Sequence, residues 1–279
     1  MPVNRQNIRA VPHVPQAVNE RIRPAQIHAV GPLDTNKMLS RYQTYVQYEL
    51  AAQQCFWLAT YKGEYGRENW QHEKMHGWQI MAFATPAGCD ADFVKAQSDA
   101  YLATVRERGP DFLAEFALAH AGSSRVHSLA DIREERANSE DWIDEHLMNQ
   151  EVGERIVGVC NLSPIAESYI LVGRKEGEPP FDASDAERLR TLILDFPRVH
   201  HWLMLERGLV APAKKPFSPR EQEVVRGLLG NEDEGAIADR LGISQGTAHN
   251  YIVDIFRNFG VTSRLEMNQL WLQDLEFDD

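Results

Sequence analysis

The last sixty or so residues constrain this chain most, because four helix starts follow one another there at short intervals. FSPREQEVVRGLL opens with Ser218 as N-cap, Pro219 at the first helical position and Glu221 closing a capping box. Asp233 caps a second helix, EGAIADRL, whose buried face is Ile237, Ala238 and Leu241, and Gly242 ends it. Ser244 caps a third helix that runs from Gln245 to Phe259. A fourth begins at Ser263, with Glu266 completing another capping box, and carries Leu265, Leu270, Trp271 and Leu275.

Helix, tight glycine turn and longer helix is the order that lays a helix in the DNA major groove. Periodicity gives the third helix two faces. Ala248, Ile252, Ile255 and Phe259 fall on the side expected to pack inward. The candidate DNA contacts are then Ser244 at the cap with Gln245, Thr247, His249, Asn250, Val253 and Arg257. Gln or Asn pairs with an adenine edge and Val rests on a thymine methyl. Thr247, near the helix start, reaches a phosphate together with backbone N–H groups.

SPREQEVV, AIADRLGIS and GTAHNYIVDIFRNFGVTSRLE, in that order and spacing, resemble the C-terminal DNA-binding domain of LuxR-type bacterial transcription regulators. The resemblance covers about sixty residues. It implies a four-helix unit whose third helix reads DNA and whose fourth supports dimerisation. It also implies a double-stranded DNA partner, a homodimer and no catalytic role. The chain departs from the family pattern in places. His249 stands where lysine is common and Tyr251 where histidine follows. Asp233, Glu234, Gly235 and Ala236 replace the usual S/T-N-K-E. From Pro212 onward seven Lys and Arg face twelve Asp and Glu, a net of 7 − 12 = −5, so non-specific phosphate affinity is expected to be weak. The alternative is a helix-turn-helix unit that mediates dimerisation or protein contact without binding DNA.

A net charge of −12, taken alone, argues against a protein that coats nucleic acid, although whole-chain charge can hide a local basic face. The three cysteines (Cys55, Cys89, Cys160) are too few and too widely spaced for a disulfide frame or a zinc ribbon. No long apolar run and no secretory h-region occurs, so a cytoplasmic location away from membranes is expected. No cofactor is implied.

Residues 1–32 carry five prolines and read as a flexible arm. Leu39, Tyr42, Val46 and Leu50 then share one helical face, and CFWLATY and GWQIMAFA read as strands. Helices are predicted over 91–108 and 111–121, and ERIVGVCNLSP with AESYILVGR reads as a hairpin. A long helix follows, capped by Ser184 with Glu187 three residues on, and Pro197 should kink or split it. LVAPAKKP reads as a linker over 207–217 ahead of a domain at 218–279.

The α/β region over 33–206, and PPFDASDAERLRTLI in particular, is similar to sensor domains of the GAF or PAS kind, making the whole chain α+β. Trp57 and Tyr61 give the W-x-x-x-Y of acyl-homoserine-lactone domains, but the acidic-proline block expected soon after is missing and that ligand is not expected. Aromatics cluster at Phe56, Trp57, Tyr61, Tyr65, Trp70 and Trp78. Core packing is the commoner explanation for such a cluster. As a pocket for a small-molecule effector, its candidate wall is Trp57, Tyr61 and Trp78. His200 and His201 are neighbours on a helix, so their side chains diverge; one should pack and the other face solvent.

HEKMH, residues 72–76, matches the H-E-x-x-H zinc pattern. The pattern works only on a helix, where both histidines share a face, and Gly77 with a strand directly after it leaves no room for one. No third ligand stands at a fitting spacing.

Overall fold

The computed structural model describes residues 34–63, 73–85, 91–135, 142–143 and 152–273. The proline-rich arm expected over 1–32 lies outside them, as do Tyr65, Trp70, His72, Cys89 and Leu275. The described residues fall into two compact units, one over 42–195 and one joining 34–41 to 196–273.

The N-terminal unit is built on a five-stranded antiparallel sheet in the order β2-β1-β5-β4-β3. Its strands are β1 (Gln54–Lys62), β2 (Trp78–Ala84), β3 (Arg125–Ser128), β4 (Val152–Ser163) and β5 (Ala166–Lys175). The predicted hairpin is β4–β5, closing at the Ser163–Ala166 pair and, past a register shift between Asn161 and Ser163, running in register from Cys160–Ser168 to Ile156–Val172. Alternation divides each strand between two faces. On β1, Cys55, Trp57 and Ala59 are buried on one face, while Phe56, Leu58 and Thr60 point to the other.

Helices α1 (Thr35–Glu49) and α5 (Ala183–Asp195) serve the first face. Gln43 of α1 donates to the carbonyls of Cys55 at 3.3 Å and Ala84 at 3.0 Å, and the Tyr42 hydroxyl donates to the Leu192 carbonyl at 3.3 Å. Gly158 lies directly under α5. A Cβ there would stand 2.1 Å from Ile193 Cδ1, so a side chain would force Ile193 and Leu189 to repack. The other face carries α2 (Ala91–Arg108), α3 (Phe112–Ala119) and α4 (Leu129–Glu135). Phe112, Leu113, Leu129 and Ile132 pack there with Val157, Val159 and Tyr169. Two of these elements, β3 and α4, have no counterpart in the sequence reading; both are short, and α4 follows β3 directly.

The cap of α5 differs from expectation. Asp182, not Ser184, receives the N–H groups of Ser184 at 2.8 Å and Asp185 at 3.0 Å, and Asp185 answers by accepting from Asp182 N at 3.2 Å. The box therefore sits two residues earlier, and the hydrogen bond from the Ser184 hydroxyl holds the Asp182 carboxyl below the usual range.

Pro197 splits the long helix as expected: α5 ends at Asp195 and α6 runs from Pro197 to Leu205. The C-terminal unit continues with α7 (Pro219–Leu229), α8 (Glu234–Leu241), α9 (Gln245–Phe259) and α10 (Arg264–Leu270). His200 is fully buried and His201 half-buried, so both are drawn inward rather than one facing solvent. The 207–217 stretch is stitched to the helices instead of hanging free. Asn258 of α9 accepts from the N–H groups of Lys214 and Lys215, both at 3.0 Å, and donates to the Lys215 carbonyl at 2.8 Å. Leu209, Val210 and Phe217 are buried with it.

The predicted capping box of α7 forms in both directions, with Ser218 N bonded to Glu221 at 2.7 Å and Glu221 N to Ser218 Oγ at 3.3 Å. At α10 Ser263 caps Glu266 N at 3.2 Å, but Glu266 reaches past it to Thr262 N at 2.7 Å, so that box does not close on the cap residue.

Candidate functional site

Two places in the molecule have the makings of a functional site, one in each unit. In the C-terminal unit, Asp233 caps α8 through Ala236 N at 2.8 Å, and Gly242 ends it in the left-handed conformation at φ +63°. A β-carbon is disfavoured at that angle, which makes glycine the natural residue between α8 and α9. Ser244 then starts α9, accepting from Thr247 N at 3.1 Å. Ala248, Ile255, Asn258 and Phe259 are buried, with Phe259 edge-on to Trp271 at 5.8 Å, and Ile252 is half-buried.

This packing leaves Gln245, Thr247, His249, Asn250, Val253 and Arg257 exposed along α9. Six of the seven predicted contact positions thus share the solvent side of one helix. Ser244 is exposed too, but its oxygen is engaged by the Thr247 N–H and stands 2.8 Å from the Thr247 hydroxyl. The electrostatics of the face are not those of a bare cationic stripe. His249 Nδ1 lies 3.0 Å from a Glu234 carboxylate oxygen, and Arg257 donates to Asp254 at 2.6 Å. Behind the face, Arg226 bonds to Glu206 at 2.7 Å and also to Glu223, while Arg240 bonds to Glu232 at 2.9 Å and Glu223 at 3.2 Å. Glu234 and Asp254 were not among the expected site residues; the i,i+3 spacing of Asp254 and Arg257 carried the signal for the second pair.

The N-terminal unit carries a partly open cavity of about 130 Å³ between the sheet and helices α2 and α3. Its wall is chiefly apolar, with Phe56 and Leu58 of β1, Trp78 and Ile80 of β2 and Val105 of α2 among its members. Phe56 and Phe83 stack across β1 and β2 at 5.3 Å. Of the three aromatics named as a candidate pocket wall, Trp78 lines this cavity. Trp57 and Tyr61 stand on the opposite face of β1, where the Trp57 indole donates to Ser168 Oγ at 2.8 Å.

Polar groups enter the cavity at a few points. Asp111 is nearly fully buried and accepts from the Tyr101 hydroxyl at 2.7 Å and from Ala114 N at 2.8 Å. Arg155 is buried with its guanidinium 5.7 Å from the Phe56 ring centre, and burial pulls it down to about 10. The Tyr169 hydroxyl donates at 2.5 Å to Glu167, which also takes a forked pair from Arg125 at 2.8 and 3.1 Å. His127 of β3 completes the set. None of these cavity residues was expected from sequence, because each reaches the wall from a different element.

His72 of the HEKMH segment lies outside the described residues. Glu73–Met75 make one 3-10 turn and His76 takes φ +48°. Among the described residues no group of three His, Cys, Asp or Glu is placed to hold a metal. Cys55 and Cys160 are buried free thiols, and burial pushes Cys160 up to about 12. No described helix is long and apolar enough to cross a membrane.

No curated protein matches the chain. Among solved structures, one of SdiA in complex with octanoyl-rac-glycerol aligns at 14% identity and TM-score 0.42, covering 88% of this chain and 92% of that one. A second, of Escherichia coli SdiA, aligns at 15% identity and TM-score 0.39, covering 88% and 94%. The capped four-helix run has a sequence match of its own: residues 215–270 match the model of the bacterial regulatory proteins, luxR family.

Proposed function

We propose that the chain is a cytoplasmic, homodimeric DNA-binding transcription regulator whose N-terminal unit senses a small molecule. The observation that carries this reading is α9, which buries one face in the helical unit and leaves six residues with base- or phosphate-binding chemistry exposed along the other. An antiparallel sheet with a cavity against one face supports the GAF- or PAS-like sensor reading of the N-terminal unit. The chain passes from one unit to the other between Asp195 and Phe196, at the break between α5 and α6. In this proposal a ligand shifts α5, and the shift alters the spacing of two α9 helices on DNA half-sites.

A second reading has an observation in its favour. Carboxylates already occupy Arg226, Arg240 and Arg257, and Glu234 stands against His249, as would suit a unit that contacts protein instead of DNA. Genomic DNA selection at low salt separates the two. The regulator reading expects enrichment of a sequence over random DNA, abolished by replacing His249, Asn250 and Arg257 together with alanine while helical content is kept. Absence of any enriched sequence gives the interaction reading instead.

A further inference from the structure

We infer that Lys214 and Lys215 are a phosphate-contacting pair that extends the DNA interface beyond α9, held in place by the buried side chain of Asn258. The inference rests on the DNA-binding reading of the C-terminal unit and adds residues to its interface.

The charge of the unit points there. Of the seven lysines and arginines from Pro212 onward, Arg226, Arg240 and Arg257 are bonded to carboxylates. Arg264 donates to the carbonyls of Gly227, Leu228 and Glu232. Lys214, Lys215 and Arg220 are exposed and have no carboxylate partner among the described residues. The lysine and arginine charge that this acidic unit leaves uncompensated therefore lies between positions 214 and 220, not on α9.

Two of the three, Lys214 and Lys215, are fixed by α9 itself. Asn258 is 5% exposed, and its side-chain oxygen accepts from Lys214 N and Lys215 N, both at 3.0 Å. Its amide group donates to the Lys215 carbonyl at 2.8 Å. Pro216 restricts the backbone of Lys215, and Phe217 is buried edge-on to Phe259 at 5.0 Å. The backbone of both lysines is thus pinned to the end of α9, while the side chains remain exposed. Lys214 Nζ stands 3.3 Å from the carbonyl of Arg257, a residue of the face proposed to meet DNA.

The dipole of α9, whose negative end attracts a cation, accounts for Lys214 alone. The Lys215 side chain makes no hydrogen bond or ion pair among the described residues, yet its backbone takes two of the three bonds from the Asn258 side chain. An arginine already held by a carboxylate must break that pair to meet a phosphate; these two lysines break none. Each phosphate they neutralise releases counterions, and a backbone ordered in advance lowers the entropic cost of contact. Lysine meets phosphate as a point charge and reads no base edge there, so the pair supplies affinity without sequence preference.

The test titrates the full chain, by fluorescence anisotropy, with a duplex enriched in the DNA selection and with a random duplex of equal length. Salt is varied between about 50 and 200 mM. Replacing Lys214 and Lys215 together with glutamine should reduce the slope of log affinity against log salt by about 2 on both duplexes. Binding to both should weaken by the same factor, so their affinity ratio stays unchanged. Replacing both lysines with arginine should keep the slope. If the unchanged chain binds DNA and the glutamine variant keeps its slope, the inference alone is overturned. A loss confined to the enriched duplex overturns it as well, since the lysines would then be reading sequence. No salt-dependent binding of either duplex by the unchanged chain overturns the DNA-binding reading and this inference together.

Discussion

At the scale of single residues, the structure changes what the charged side chains of the helix-turn-helix are doing. His249 and Arg257 were legible as exposed residues from their positions on a periodic helix. Their carboxylate neighbours were not both legible: Asp254 is three residues from Arg257, but Glu234 lies fifteen residues from His249 and on a different helix. Glu234 places a negative charge beside the face proposed to meet DNA. Glu234→Gln should therefore tighten DNA binding by about two- to fivefold, the scale of one exposed ion pair, measured by fluorescence anisotropy at fixed low salt. Unchanged or weaker binding would show that Glu234 does not compete with DNA. The buried His127 was equally silent in sequence, because a lone histidine in the strand RVHS gives no sign of what faces it.

At the scale of elements, helix starts were the most readable feature and the ties between helices the least. Ser218, Asp233, Ser244 and Ser263 all cap the helices expected of them, since a cap needs only an oxygen three residues before an N–H. The same rule misled at α5, where Asp182–Asp185 and Ser184–Glu187 offer the same spacing and the aspartate pair won. What joins elements could not be read. Glu206, at the end of α6, is fully buried and bonds to Arg226 of α7 at 2.7 Å and to Thr35 at the start of α1, with Arg207 at 3.7 Å. Glu206→Ala strands Arg207 and Arg226 without their shared partner. The loss of stability should be about 3–5 kcal/mol by urea denaturation, against less than about 1 kcal/mol for the exposed Glu223→Ala. Equal effects from the two substitutions would deny the cluster its structural role.

Over the whole molecule the buried histidines set an acid limit. Burial lowers His127 to about 4, His200 to about 3 and His201 to about 4. The unfolded chain takes up protons at these positions below about pH 6.5, and the folded chain does not. Their contribution to stability is thus fully present above that pH and is lost as pH falls toward the folded values. Each histidine should account for about 1–2 kcal/mol by pH 5.5. Denaturation midpoints at pH 7.5 and 5.5 check the sign, and a flat profile would contradict it.

What the sequence by itself determined was local: the capped helices, the exposed face of α9, the β4–β5 hairpin and the split at Pro197. Each follows from contacts within a few residues, where spacing alone dictates geometry. Only the tertiary structure decided which face of β1 meets a cavity, which brought Trp78 to the wall and turned Trp57 and Tyr61 away. It also set His127 against that cavity and buried Glu206 between two arginines. Those outcomes depend on which distant elements pack together, and no spacing along the chain encodes that.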